Sequence, residues 1–105
     1  MALPALTAEQ RAQALENAAA ARKARGELFE GLRSGETTLT EVFDRAAGGE
    51  ELVKRTRVSQ ILRALPGNGP ARVAALMATC GVAEKRRVGG SGELQRQRLL
   101  VAVEV

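Results

Sequence analysis

From Val58 onward the apolar positions form two helical stripes separated by a short break. Val58, Ile61, Leu62 and Leu65 stand at i, i+3, i+4 and i+7, and Val73, Leu76, Met77 and Cys80 repeat that spacing before Gly81. Between them lies Pro66-Gly67-Asn68-Gly69-Pro70, which blocks helix continuation and suits a tight reversal, with Pro70 at the first position of the following helix. The pattern predicts two short helices joined by a glycine hairpin, with Asn68 as its exposed tip.

The remaining segments also read as helices. Thr7 with Gln10 forms a capping box ahead of a stretch from Ala8 to about Arg33 that is rich in strong helix formers. Its front is poor in large apolar residues, with Leu15 alone until Leu28, Phe29 and Leu32. Such a helix projects as an arm and packs only at its rear, and Gly26 and Gly31 offer places for a bend or break. Residues 1–6 read as an extended lead-in broken by Pro4. After Ser34-Gly35, Thr38 and Glu41 open a helix with Leu39, Val42 and Phe43 on its apolar face, closed by Gly48-Gly49. Glu50 to Arg55 adds one turn with Leu52 and Val53 inward. Val82-Ala83-Glu84 makes a second tight turn, Gly89-Gly90-Ser91-Gly92 reads as a flexible run, and Glu93 to about Ala102 as the last helix. The terminal Leu99–Val105 is β-prone by composition but has no partner strand, so it is assigned to helix. The expected fold is all-α: a helical arm over residues 1–35 and a small helical bundle over residues 36–105.

Charge sharpens this picture. The 105 residues suit one domain with a net charge of +4. Residues 1–53 carry six basic and nine acidic side chains, a balance of −3, whereas residues 54–105 carry ten and three, a balance of +7. A basic half built on a helical hairpin points to a polyanion, nucleic acid first. An anionic membrane surface would call for large apolar anchors, and this half has no aromatic residue. No long apolar run or signal-peptide pattern occurs, so a cytoplasmic location is expected.

Several chemistries drop out. A lone cysteine forms no internal disulfide, and Cys80 on its apolar stripe reads as a small buried hydrophobe. With no histidine, a zinc site has no ligand set. No phosphate-loop lysine or dinucleotide fingerprint is present, so no cofactor and no catalytic residue is assigned. Tryptophan and tyrosine are absent, which argues against aromatic base-stacking platforms.

The candidate ligand-binding groups are therefore backbone amides and cations. Amides around Gly67, Asn68 and Gly69, beside a helix N-terminus, suit close approach to an anion, or else form a plain helical corner. Arg72, Lys85, Arg86 and Arg87 add charge, and Arg55 and Arg57 lie ahead of the hairpin. Arg22, Lys23 and Arg25 form a basic cluster that is either a solvated helix face or a phosphate-gripping arm.

Glu9-Gln10-Arg11-Ala12, Ala14-Leu15-Glu16, the Ala18–Lys23 run and Arg25 resemble the opening arm of the actinobacterial integration host factors. Val58-Ser59, Leu62, Leu65-Pro66-Gly67, Gly69, Arg86-Arg87-Val88 and Gly90 resemble that family's helix-two-turn-helix region, and the likeness runs from about residue 2 to 90. Asn68, Pro70, Gly89 and the Leu99–Val105 tail depart from its pattern. The resemblance implies a nucleoid-associated, all-helical, sequence-tolerant duplex-DNA binder that assists phage integration and compacts the chromosome. It carries over best onto Arg86, Arg87, Gly67 and Gly69, with Arg55 and Arg57 at matching basic positions. The expected state is a monomer without enzymatic activity. Two alternatives stand beside it: an RNA binder resembling a small-subunit ribosomal protein, and a protein-interaction module for an integrase or topoisomerase. A base-excision glycosylase uses a similar hairpin, but this chain lacks room for its catalytic domain.

Overall fold

The computed structural model describes residues 7–104, so the expected lead-in at residues 1–6 lies outside the described residues. Six α-helices follow in order: α1 (Ala8–Ser34), α2 (Leu39–Ala47), α3 (Glu51–Arg55), α4 (Val58–Ala64), α5 (Pro70–Cys80) and α6 (Glu93–Glu104). A 3-10 turn, Val88–Gly90, precedes α6. The fold is all-α; among the described residues the extended pairing is a single isolated bridge between Arg57 and Arg87.

Local chemistry sets the helix starts. The Thr7 hydroxyl accepts from the Gln10 amide at 3.1 Å while the Thr7 amide donates to Gln10 Oε1 at 2.9 Å, a complete capping box. Thr38 accepts from the Glu41 amide at 3.2 Å, which caps α2. The bend offered by Gly26 and Gly31 does not occur, because α1 runs unbroken through both. Gly31 serves packing instead: a Cβ there would collide with Thr37 Oγ1, and the Gly31 carbonyl accepts the Thr37 amide at 3.0 Å as the chain folds back.

One buried cluster joins every helix. Leu28 and Leu32 of α1, Val42 and Phe43 of α2, Val53 of α3, Ile61 and Leu62 of α4, Val73, Met77 and Cys80 of α5, and Leu99 of α6 all belong to it. Each such side chain contributes about 1.5–3 kcal/mol through removal from water. The front of α1 receives none of this: residues 8–20 are exposed throughout, and burial begins at Ala21 and Ala24. The projecting arm and the packed rear are thus two portions of one helix.

Several weaker sequence signals resolve in the same way. Val53 is fully buried while Leu52 is half-buried, so α3 is anchored chiefly by one residue. The β-prone tail stays helical to Glu104, as Leu100, Ala102 and Val103 pack against the core around Leu99. The glycine run after Val88, loose by composition, is packed. Gly89 lies so close to α3 that a Cβ would stand 2.9 Å from Lys54 Cβ, and the buried Ser91 hydroxyl donates to the Val88 carbonyl at 2.6 Å. Cys80 is buried and unpaired.

Candidate nucleic-acid interface

The basic residues are positioned by the junction between the α3–α4 link and the strand-like segment after α5. The Val58 amide donates to the Arg86 carbonyl at 3.0 Å, and the Val88 amide donates to the Thr56 carbonyl at 2.9 Å. These two bonds flank Arg57 and Arg87, which makes them a non-hydrogen-bonded antiparallel pair. In such a pair the Cα atoms stand about 4.5 Å apart and like charges repel. The backbone therefore holds two guanidinium-bearing residues face to face at a cost.

Two more arginines join them. Arg25 from α1 and Arg55 from the end of α3 line the same cleft as Arg57 and Arg87, with Leu52, Thr56 and Gln60 completing the walls. The cleft encloses about 150 Å³. Arg55 has a partial counter-charge in Glu51, whose carboxylate is 3.5 Å from its Nε. Arg25, Arg57 and Arg87 form no ion pair among the described residues. Thr56 is buried and its hydroxyl is committed to the Leu52 carbonyl at 2.7 Å, so Gln60 supplies the uncommitted neutral polar group.

Lys85 and Arg86 lie next door. With Arg87 and Gly90 they line a second, shallower depression, so Arg87 is the wall shared by both. The Arg86 guanidinium donates to the Gly90 carbonyl at 3.2 Å and thereby leans over the 3-10 turn.

The hairpin is a separate surface at the other end of α4, about 10 Å along the helix axis from Arg57. Gly67 adopts a φ of +81°, a left-handed conformation that favours glycine. Gly69 caps α5 without a side-chain hydrogen bond, so donors of that first turn face outward. Asn68 is not the free tip that the sequence suggests. It is half-buried; its Nδ2 donates to the Leu62 carbonyl at 3.2 Å and its Oδ1 accepts from Arg72 Nε at 2.8 Å. The Leu62 carbonyl at the end of α4 already accepts the Leu65 amide at 3.2 Å, and the Asn68 side chain adds a second donor to it. Arg72 is thereby drawn onto the hairpin.

On α1, Arg22 lies one turn before Arg25 on the same side, whereas Lys23 points to the opposite side, about 160° from Arg25 at 100° per residue. Both Arg22 and Lys23 are exposed. Sequence proximity grouped the three; the fold gives Arg25 to the cleft. Gln60 also lines the cleft, and its one signal in the sequence is its i+3 spacing from Arg57.

Comparison with known proteins follows the same lines. Residues 32–102 match the S13-like H2TH domain. The chain is 47% identical over 100 residues to the integration host factor of Mycobacterium tuberculosis, covering 95% of this chain and 94% of that one. It is 46% identical over 100 residues to that of Mycolicibacterium smegmatis, with the same coverage of 95% and 94%. It is 43% identical over 95 residues to that of Streptomyces coelicolor, covering 90% and 88%. Among solved structures, sIHF bound to an 8-bp palindromic DNA superposes with a TM-score of 0.78 at 34% identity, covering 83% of this chain and 97% of that one.

Proposed function

Since this chain belongs to the actinobacterial integration host factor family, we propose that it binds duplex DNA as a non-enzymatic, sequence-tolerant nucleoid protein. The cleft supports this: Arg25, Arg55, Arg57 and Arg87 arrive from three stretches of the chain and converge with one carboxylate near them. Guanidinium groups satisfy phosphate oxygens through paired donors, and contacts to phosphate fix a protein on the duplex without reading its sequence. Lys85 and Arg86 extend the cation field on one side, and Gly67, Asn68, Gly69 and Arg72 offer amides and a further cation at the other end of α4. Arg22 and Lys23 add charge along the arm. The monomer thus touches several phosphates at once, the property through which such a protein supports phage integration and chromosome organisation. An integrase or topoisomerase is the protein partner that fits this role.

A salt titration against duplex DNA, single-stranded DNA and structured RNA in parallel tests the proposal. With four cleft arginines plus Lys85 and Arg86 engaged, log K falls against log salt with a slope of roughly −5 on duplex DNA. Duplex DNA is expected to bind most tightly at every salt concentration. A slope near zero overturns phosphate capture, and a preference for structured RNA at equal salt transfers the surface to RNA.

A further inference from the structure

We infer that the Arg25–Arg55–Arg57–Arg87 cleft is a seat for a terminal phosphate, the doubly charged monoester group, in preference to the singly charged diester of an internal backbone position. This rests on the proposal that the cleft is phosphate-binding. It follows from counting charge against space. The cleft holds four guanidinium groups, one of them partly compensated by Glu51 at 3.5 Å. Its volume of about 150 Å³ accommodates one phosphate group and its few waters, not a nucleotide. A backbone diester brings a single negative charge to this concentration of cations. A terminal phosphate brings about −1.5 to −2 at neutral pH and a third free oxygen acceptor.

The architecture matches the second ligand better in geometry as well. Arg57 and Arg87 are opposed across a bridge whose two backbone hydrogen bonds prevent them from separating. The backbone of Arg25 is placed by the packed rear of α1, one turn ahead of the buried Leu28, with its side chain exposed toward the cleft. Donors held on several sides of a concavity surround a tetrahedral end group, whereas an internal phosphate must leave two ester oxygens free for the chain to enter and leave. Gln60 adds a neutral amide donor to the same wall.

One chemistry, two sources: a 5′-phosphate at a DNA end or nick, or the phosphate of a free nucleotide. Isothermal titration of the full chain with methyl phosphate and with dimethyl phosphate, at matched ionic strength and pH 7.5, isolates the chemistry from either source. The monoester is expected to bind about tenfold more tightly, and that preference is expected to collapse at pH 5, below the second phosphate pKa of about 6. Arg25→Gln is expected to abolish the preference with helicity unchanged by circular dichroism. Blunt duplexes that differ only in a 5′-phosphate or 5′-hydroxyl then report the DNA source, and competition by a nucleoside monophosphate reports the free one. Preference in either arm supports the inference. Equal affinity for the two methyl esters, with salt-dependent duplex binding intact, overturns it and leaves the DNA proposal standing; loss of duplex binding itself overturns that proposal instead.

Discussion

The end of α4 is closed by its own backbone through the Leu65 amide, which donates to the Leu62 carbonyl, and Asn68 adds a side-chain tie to that same carbonyl. Its amide bridges the Leu62 carbonyl and Arg72 across the hairpin. Asn68→Ala is expected to lower stability by ~1 kcal/mol, the net worth of such bonds. Asn68→Asp should cost at least as much, because it keeps the acceptor for Arg72 and replaces the donor to Leu62 with a charge facing a carbonyl. Thermal melting by circular dichroism checks both, and unchanged melting in both would show that the side chain does not hold the turn. Arg87 makes the opposite case. It opposes Arg57 and has no carboxylate partner among the described residues. Arg87→Gln is expected to raise the melting temperature slightly at low salt by relieving repulsion, while weakening binding equally on unrelated duplexes and reducing the salt slope by about one. A destabilised variant would mean that Arg87 is held by packing rather than set against it.

Among the elements, the α2–α3 turn is held by an ion pair. Arg45 donates to both oxygens of Glu50, at 2.8 and 2.6 Å. That hydrogen bonding holds the Glu50 carboxyl below its ordinary pKa and raises that of Arg45. A carboxylate with a lowered folded pKa contributes stability that is fully present above the ordinary carboxylate range and is lost as pH falls through the lowered value. Glu50→Gln is therefore expected to melt below the parent at pH 7 by at most ~1 kcal/mol, since the pair is exposed, and the gap should close on acidification. Melting curves at several pH values read this directly. Helix α1 invites a different test. Deleting residues 2–20 removes no buried side chain among the described residues, so melting should stay within a few degrees. Arg11 goes with the deletion, and it shares a helix face with Arg22 and Arg25 at about three turns' spacing, so the salt slope should fall by about one. An unchanged slope would mark the arm as a solvated face.

At the scale of the whole molecule, the elements were legible in the sequence and their meeting points were not. Capping residues, apolar spacing and turn residues are local, so Thr7, Thr38 and the α4–α5 stripes declare themselves without tertiary information. Gly31 reads locally as a place for α1 to bend, whereas its role is set by Thr37 across a turn. The cleft was legible only in part. Arg55, Arg57 and Arg87 were picked out by charge, but their convergence depends on a two-residue bridge, and Arg25 joins them across thirty positions of chain because α1 packs on α3 and α4. Nothing periodic announces such a contact. Gly89 departs from the family pattern, and the fold shows what its smallness permits: close approach to Lys54, which seats the 3-10 turn beside Arg87.

Under the proposed duplex binding, the exposed front of α1 also sets how much duplex one molecule would occupy. A chain of this length folded into a ball would have a radius of gyration near 13 Å; the projecting arm raises it to 16.3 Å and stretches the long axis to 51 Å against 33 and 27 Å across. Laid along the duplex, the molecule shades ~15 base pairs, and laid across it, ~8–10, at 3.4 Å per step. The footprint at saturation is thus a compass needle: the number of base pairs per bound copy tells which way the arm points.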